Sequence, residues 1–91
     1  MSDTGFTIAW TGPAQRALGK LPEKVAAAAV EFIYGSLADN PHRVGMPLRY
    51  ELAGLHSARR GDYHVIYRIN TDQQIIEIAA IEHRADANRP N

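Results

Sequence analysis

The sequence predicts an α+β fold, with an N-terminal strand and a helical hairpin packed on one face of a small curved antiparallel sheet. Three observations carry that expectation. Apolar residues recur at three- and four-residue steps between residues 26 and 37, which is helical spacing. From Tyr63 onward they alternate with period two, which is strand spacing. The breakers Leu21-Pro22, Asn40-Pro41 and Gly61-Asp62 fall between these segments rather than inside them. A chain of 91 residues allows a single domain, 1–91, with one core between two packed layers.

Residues Met1 to Gly5 are small and polar and are expected to fray. Phe6, Ile8 and Trp10 share one face of a short, half-buried strand. Thr11-Gly12-Pro13 starts a helix: the Thr11 hydroxyl can take an orphan amide, and Pro13 suits a first turn where no amide partner is needed. Gly19 and Leu21-Pro22 keep that helix short. Pro22 opens the second helix, with Glu23 set against the positive end of its dipole. Ala26, Ala29, Val30, Ile33 and Leu37 form its apolar face, and the run Ala26 to Ala29 favours helix and allows close approach to a partner surface. Asn40-Pro41 ends it, because the residue before proline is pushed out of the helical region.

The second half is extended. Leu48 to Arg60 reads as a segment interrupted at Gly54, and Gly61-Asp62 turns it into the next strand. There Tyr63, Val65, Tyr67 and Ile69 face one way and His64, Ile66, Arg68 and Asn70 the other. Thr71-Asp72-Gln73 turns the chain again, and Gln74 to His83 is a third strand rich in Ile. Trp10, Tyr63 and Tyr67 are read as core aromatics. The helices cover one face of the sheet, so function is expected on the face left open.

The chain carries 10 Lys+Arg against 10 Asp+Glu, so total charge gives no argument for nucleic acid. Its distribution is uneven. Residues 42–68 hold Arg43, Arg49, Arg59, Arg60 and Arg68 against Glu51 and Asp62, a net +3 before His42, His56 and His64 are counted; the remainder carries −3. Every cation there is Arg, the residue suited to forking onto phosphate oxygens. The plainer alternative is an ordinary solvated sheet face. With no Cys there is neither a disulfide nor a thiolate metal site. His42, His56, His64 and His83 lack HxxxH or HExxH spacing, so no metal site is expected. Glycine-rich phosphate cradles are absent, Ser57 stands in no nucleophile elbow, and no cofactor is expected. No apolar run approaches the roughly 20 residues of a membrane span, and no signal pattern opens the chain, so a cytoplasmic location away from membranes is expected.

The stretch from Asn40-Pro41-His42-Arg43 through Gly45-Met46-Pro47-Leu48, and then from Leu52-Ala53-Gly54-Leu55 through Arg59-Arg60-Gly61-Asp62-Tyr63-His64-Val65-Ile66-Tyr67-Arg68-Ile69, resembles the RelE/ParE toxin superfamily, in particular its RelE-like branch. The closing Ile81-Glu82-His83-Arg84-Ala85-Asp86-Ala87 is similar to the final strand of that family, a His-Arg pair before a short tail. The opening strand and Ala14 to Leu21-Pro22 fit as well, so the resemblance covers nearly the whole chain. It implies the toxin of a type II toxin–antitoxin pair, a metal-independent endoribonuclease that enters the ribosomal A site and cuts translated mRNA. It also implies neutralisation by a RelB-like antitoxin that wraps the toxin in a hetero-oligomer.

Metal-free RNA cleavage uses the 2′-hydroxyl as internal nucleophile. It needs a base for that proton, cations around the developing phosphorane charge, and an acid for the departing 5′-oxygen. By position, the resemblance implies Arg59, His64 and Arg84 as catalytic residues, with Arg49, Arg60, Arg68 and His83 binding RNA. Two positions depart from the family pattern: His64 stands where Arg is usual, and Asn88 where many members have a tail Tyr. His is shorter than Arg and mostly neutral at pH 7, and Asn neither stacks nor moves protons well. The departures imply either an attenuated enzyme or a site in which His64 is itself the base. Two other readings stay open, a ParE-like DNA gyrase inhibitor and a catalytically weak antitoxin-binding co-repressor.

Overall fold

The computed structural model describes residues 5–83; Arg84 and Asn88 therefore lie outside the described residues. In chain order the elements are β1 (Thr7–Trp10), α1 (Gly12–Lys20), α2 (Glu23–Phe32), a π-helical turn (Ile33–Leu37), α3 (Pro41–Val44), β2 (Met46–Pro47), a 3₁₀ turn (Tyr50–Leu52), β3 (Leu55–Arg60), β4 (Tyr63–Asn70) and β5 (Ile75–His83). The five strands make one sheet in the order β1-β5-β4-β3-β2.

Local chemistry explains the helical half. The Thr11 hydroxyl accepts the Ala14 amide at 3.3 Å and donates to the Ile78 carbonyl at 2.8 Å, so one side chain caps α1 and ties it to β5. Glu23 lies in the first turn of α2, as its dipole favours. After Phe32 the helix widens into the π turn, which keeps Phe32, Ile33, Leu37 and Ala38 all buried. Asn40, at φ −151° and ψ 73°, ends it before Pro41. Pro41 then starts the short α3, an element the sequence reading did not contain.

The meander β3–β4–β5 is antiparallel as expected, while β1 joins the far side of β5 in parallel. The extended run expected from Leu48 to Arg60 is more divided. Met46 and Pro47 pair with Ser57 and His56, and the Leu48 amide donates to Leu55 at 2.8 Å. Between them the chain makes the 3₁₀ turn and reverses at Gly54, whose φ of +95° suits glycine.

Ile33, Leu37, Val65, Tyr67, Ile76 and Ile78 are fully buried between helices and sheet. The Tyr67 hydroxyl donates to the Pro41 carbonyl at 2.7 Å, which satisfies it inside the core. Gly45 makes this possible: a Cβ there would collide with the Tyr67 hydroxyl and lie 2.9 Å from the Ser57 carbonyl.

One irregularity positions the open face. Ile66 pairs with Ala80 but Tyr67 with Ile78, so Ala79 is an extra residue on β5, a β-bulge. The buried Ile76 and Ile78 are followed by buried Ile81, a step of three in a period-two strand, and the bulge absorbs it.

Candidate functional site

On the face away from the helices, one row crosses three strands: Arg59 on β3 pairs with His64 on β4, and His64 pairs with Glu82 on β5. A second row runs Leu55, Arg68, Glu77 and Ala9. His64 Nε2 lies 2.9 Å from Glu82 Oε1. An ionised carboxylate only accepts, so Nε2 carries the proton in this pair. In the neutral ring the other nitrogen, Nδ1, then holds a free lone pair. Arg68 Nε stands 3.8 Å from Glu77 Oε1, with both side chains about half exposed.

The sequence-derived residues thus divide. Arg59 and His64 come together on the open face, and Arg68 is on the same face four residues along β4. Arg49 is exposed just ahead of the 3₁₀ turn. Arg60 points the other way, its guanidinium carbon 4.6 Å from the centre of the Phe32 ring. His83 pairs with the buried Tyr63 and so belongs to the helix side. Arg84 lies outside the described residues. The +3 stretch of residues 42–68 is accordingly not one surface. Alternation sends Arg59 and Arg60 to opposite faces, and β5 brings Glu77 and Glu82 up to Arg68 and His64. Glu82 was not picked out by sequence reasoning. Its one signal, the sequence Glu82-His83-Arg84, leaves its partner unspecified without the bulge.

The groups with perturbed pKa values, His56, Tyr63 and Tyr67, sit on the helix side. His56 stacks on Tyr67, ring centres 5.5 Å apart, and meets the edge of His42 at 6.2 Å. Its Nδ1 is buried without a partner, and burial, then the neighbouring His42, pushes its pKa below the usual value. Burial pushes Tyr67 up to about 12 and also raises Tyr63, which Arg60 partly opposes. A buried, neutral Tyr67 is a structural donor. Among the described residues no three His, Asp or Glu side chains converge as metal ligands, and no helix is long and apolar enough to cross a membrane.

A sheet with one face under helices and the other bearing paired arginine, histidine and glutamate side chains is an α+β fold with one open polar face, and comparison with known proteins specifies its class. The family model described as ParE toxin of type II toxin–antitoxin system, parDE, matches residues 8–88. Toxin RelE of Mycobacterium tuberculosis is 52% identical over 89 residues, covering 98% of this chain and 92% of that one. Toxin RelG of the same organism is 49% identical over 84 residues, covering 92% and 97%. The crystal structure of the toxin–antitoxin complex RelBE2 from M. tuberculosis holds a chain 48% identical, with a TM-score of 0.86 over 88% of this chain and 99% of that one. The chain belongs to the ParE toxin family of type II toxin–antitoxin systems, within the RelE/ParE superfamily.

Proposed function

We propose that this toxin is a metal-independent endoribonuclease that cuts mRNA on the ribosome, acting through Arg59, His64 and Arg84. The observation that carries the reading is the row Arg59–His64–Glu82 on the open face. Glu82 fixes the tautomer in which His64 Nδ1 is free to take the 2′-hydroxyl proton. Arg59, beside it on β3, meets the charge that develops as the 2′-oxygen attacks phosphorus. The bond to the 5′-oxygen then breaks and that oxygen takes a proton from water, leaving a 2′,3′-cyclic phosphate and a 5′-hydroxyl. Arg84 adds a second cation by its resemblance to the family arginine. Arg68 and Arg49 hold the RNA backbone, whereas Arg60 and His83, on the other side, fit contacts with a protein partner better than with RNA.

His64 in the usual arginine position thus makes a different site, with a base where the family has a cation. The partner we propose is a cognate RelB-like antitoxin, because the similar chain of RelBE2 was solved in complex with its antitoxin. The alternative, a ParE-like gyrase-directed toxin, needs no His64–Glu82 pair. Purified 70S ribosomes with a programmed A-site codon separate the two. A mapped mRNA cut supports the nuclease; intact mRNA with inhibited DNA supercoiling supports gyrase.

A further inference from the structure

We infer that Tyr50 is a substrate-binding residue, a stacking platform for an unpaired base of the RNA; the inference rests on the ribonuclease reading above. Tyr50 is 86% exposed and has a φ of +58°. That left-handed conformation is free to glycine and strained for a bulky side chain. The same half of the chain adopts it elsewhere at Gly54 and Gly61 and, with a φ of +56°, at Gln74 in the turn before β5; among the described residues Tyr50 is the only aromatic that holds it. At Tyr50 the ring buries almost nothing, so no packing offsets the strain. Strain held by an exposed aromatic that adds nothing to the core marks a side chain kept for contact with another molecule.

Placement says which molecule. Arg49 directly precedes Tyr50, and Leu52 at the end of the same 3₁₀ turn is half exposed as well. The loop ends at Gly54, where a Cβ would lie 3.0 Å from Arg68 Nη1, so the loop closes against the Arg68 end of the open face. Arg68 is four residues from His64 on β4, roughly 13 Å at strand rise. The turn that carries Tyr50 is thus anchored at the Arg68 end of the open face, away from the Arg59–His64 row, on the side where nucleotides flanking the cut would lie. An exposed ring next in sequence to one arginine, on a loop tied to another at the end of the proposed RNA face, is the combination that holds single-stranded RNA by its base faces.

The test compares wild type, Tyr50→Gly and Tyr50→Phe for cutting of A-site mRNA on 70S ribosomes, with urea midpoints measured in parallel. Tyr50→Gly relieves the backbone and should raise the midpoint while raising KM about tenfold, within the ~5- to 150-fold range of one base–aromatic stack, at unchanged kcat. Tyr50→Phe should match wild type in both. Unchanged KM in Tyr50→Gly overturns the inference and leaves the nuclease reading standing. A lowered midpoint with proportionate loss of cutting overturns it in favour of a structural tyrosine. Normal cutting with weakened antitoxin binding assigns the ring to the protein partner instead. A wild-type protein that cuts no mRNA overturns both readings together.

Discussion

Removing Glu82 should slow RNA cleavage without weakening the fold. The His64–Glu82 pair is open to solvent, with side chains 37% and 62% exposed. Such pairs contribute about 0–1 kcal/mol, so Glu82→Ala should leave the unfolding midpoint nearly where it was. Its effect on rate is larger because the carboxylate holds the base. Losing the base altogether, as in His64→Ala, should cost roughly 10²- to 10⁴-fold. Letting it swing by an ångström costs on the order of 10²-fold. The assay is single-turnover cutting of A-site mRNA by the two single variants and the double variant. If Glu82 acts only through His64, the double variant is no slower than His64→Ala, since nothing remains to orient. Two results refute the reasoning. Multiplicative losses would give Glu82 a role of its own, and faster cutting by Glu82→Ala would show that its charge repels the phosphate.

Gly45→Ala should destabilise the protein by about 2–5 kcal/mol in urea unfolding, since the new methyl displaces Tyr67 from a buried hydrogen bond and overpacks the core. Arg59→Ala should lower cleavage about 10²- to 10³-fold, the scale of losing one preorganised donor. Arg60→Ala should leave cleavage intact and cost about 0.5–1 kcal/mol of stability through the lost contact with Phe32, by the usual size of an exposed cation–π pair. His56 has a folded pKa below its ordinary 6.5, so below that pH the unfolded chain binds the extra proton more readily. Stability should therefore fall as pH drops below 6.5 and on through the lowered folded value, and His56→Gln should flatten that slope in pH-dependent urea titrations.

The fold was legible wherever one local rule decided the outcome. Thr11 with Pro13, Glu23 after Pro22, and Asn40 before Pro41 each act within a turn of chain, and each element boundary follows from them. The alternation of Tyr63 to Ile69 likewise gave the two faces of β4. Residues 41–54 were harder, because α3, the two-residue β2 and the 3₁₀ turn are too short to build a period. Of the candidate site, the Arg59–His64 juxtaposition needs only a tight turn at Gly61-Asp62, so it is implicit in the sequence. Glu82 is different. Strict alternation from Ile76 puts residue 82 in the core and Ile81 outside, and only the step at Ala79 reverses this. Charge summed over residues 42–68 failed for a related reason, since neighbours in sequence are opposites in a strand.

The extra residue at Ala79 also decides which length changes in β5 the protein can absorb. Beyond it, Ala80, Ile81 and Glu82 already face Ile66, Val65 and His64 in unbroken register. A deletion of Ala79 would therefore straighten the ladder and leave the Glu82–His64 pairing in place. A residue lost between Ala80 and Glu82 would turn everything after it over, carrying the remaining acid toward the helices. When this chain is aligned with its relatives, a gap at Ala79 should be read as silent, and a gap two positions later as the loss of the carboxylate from the open face.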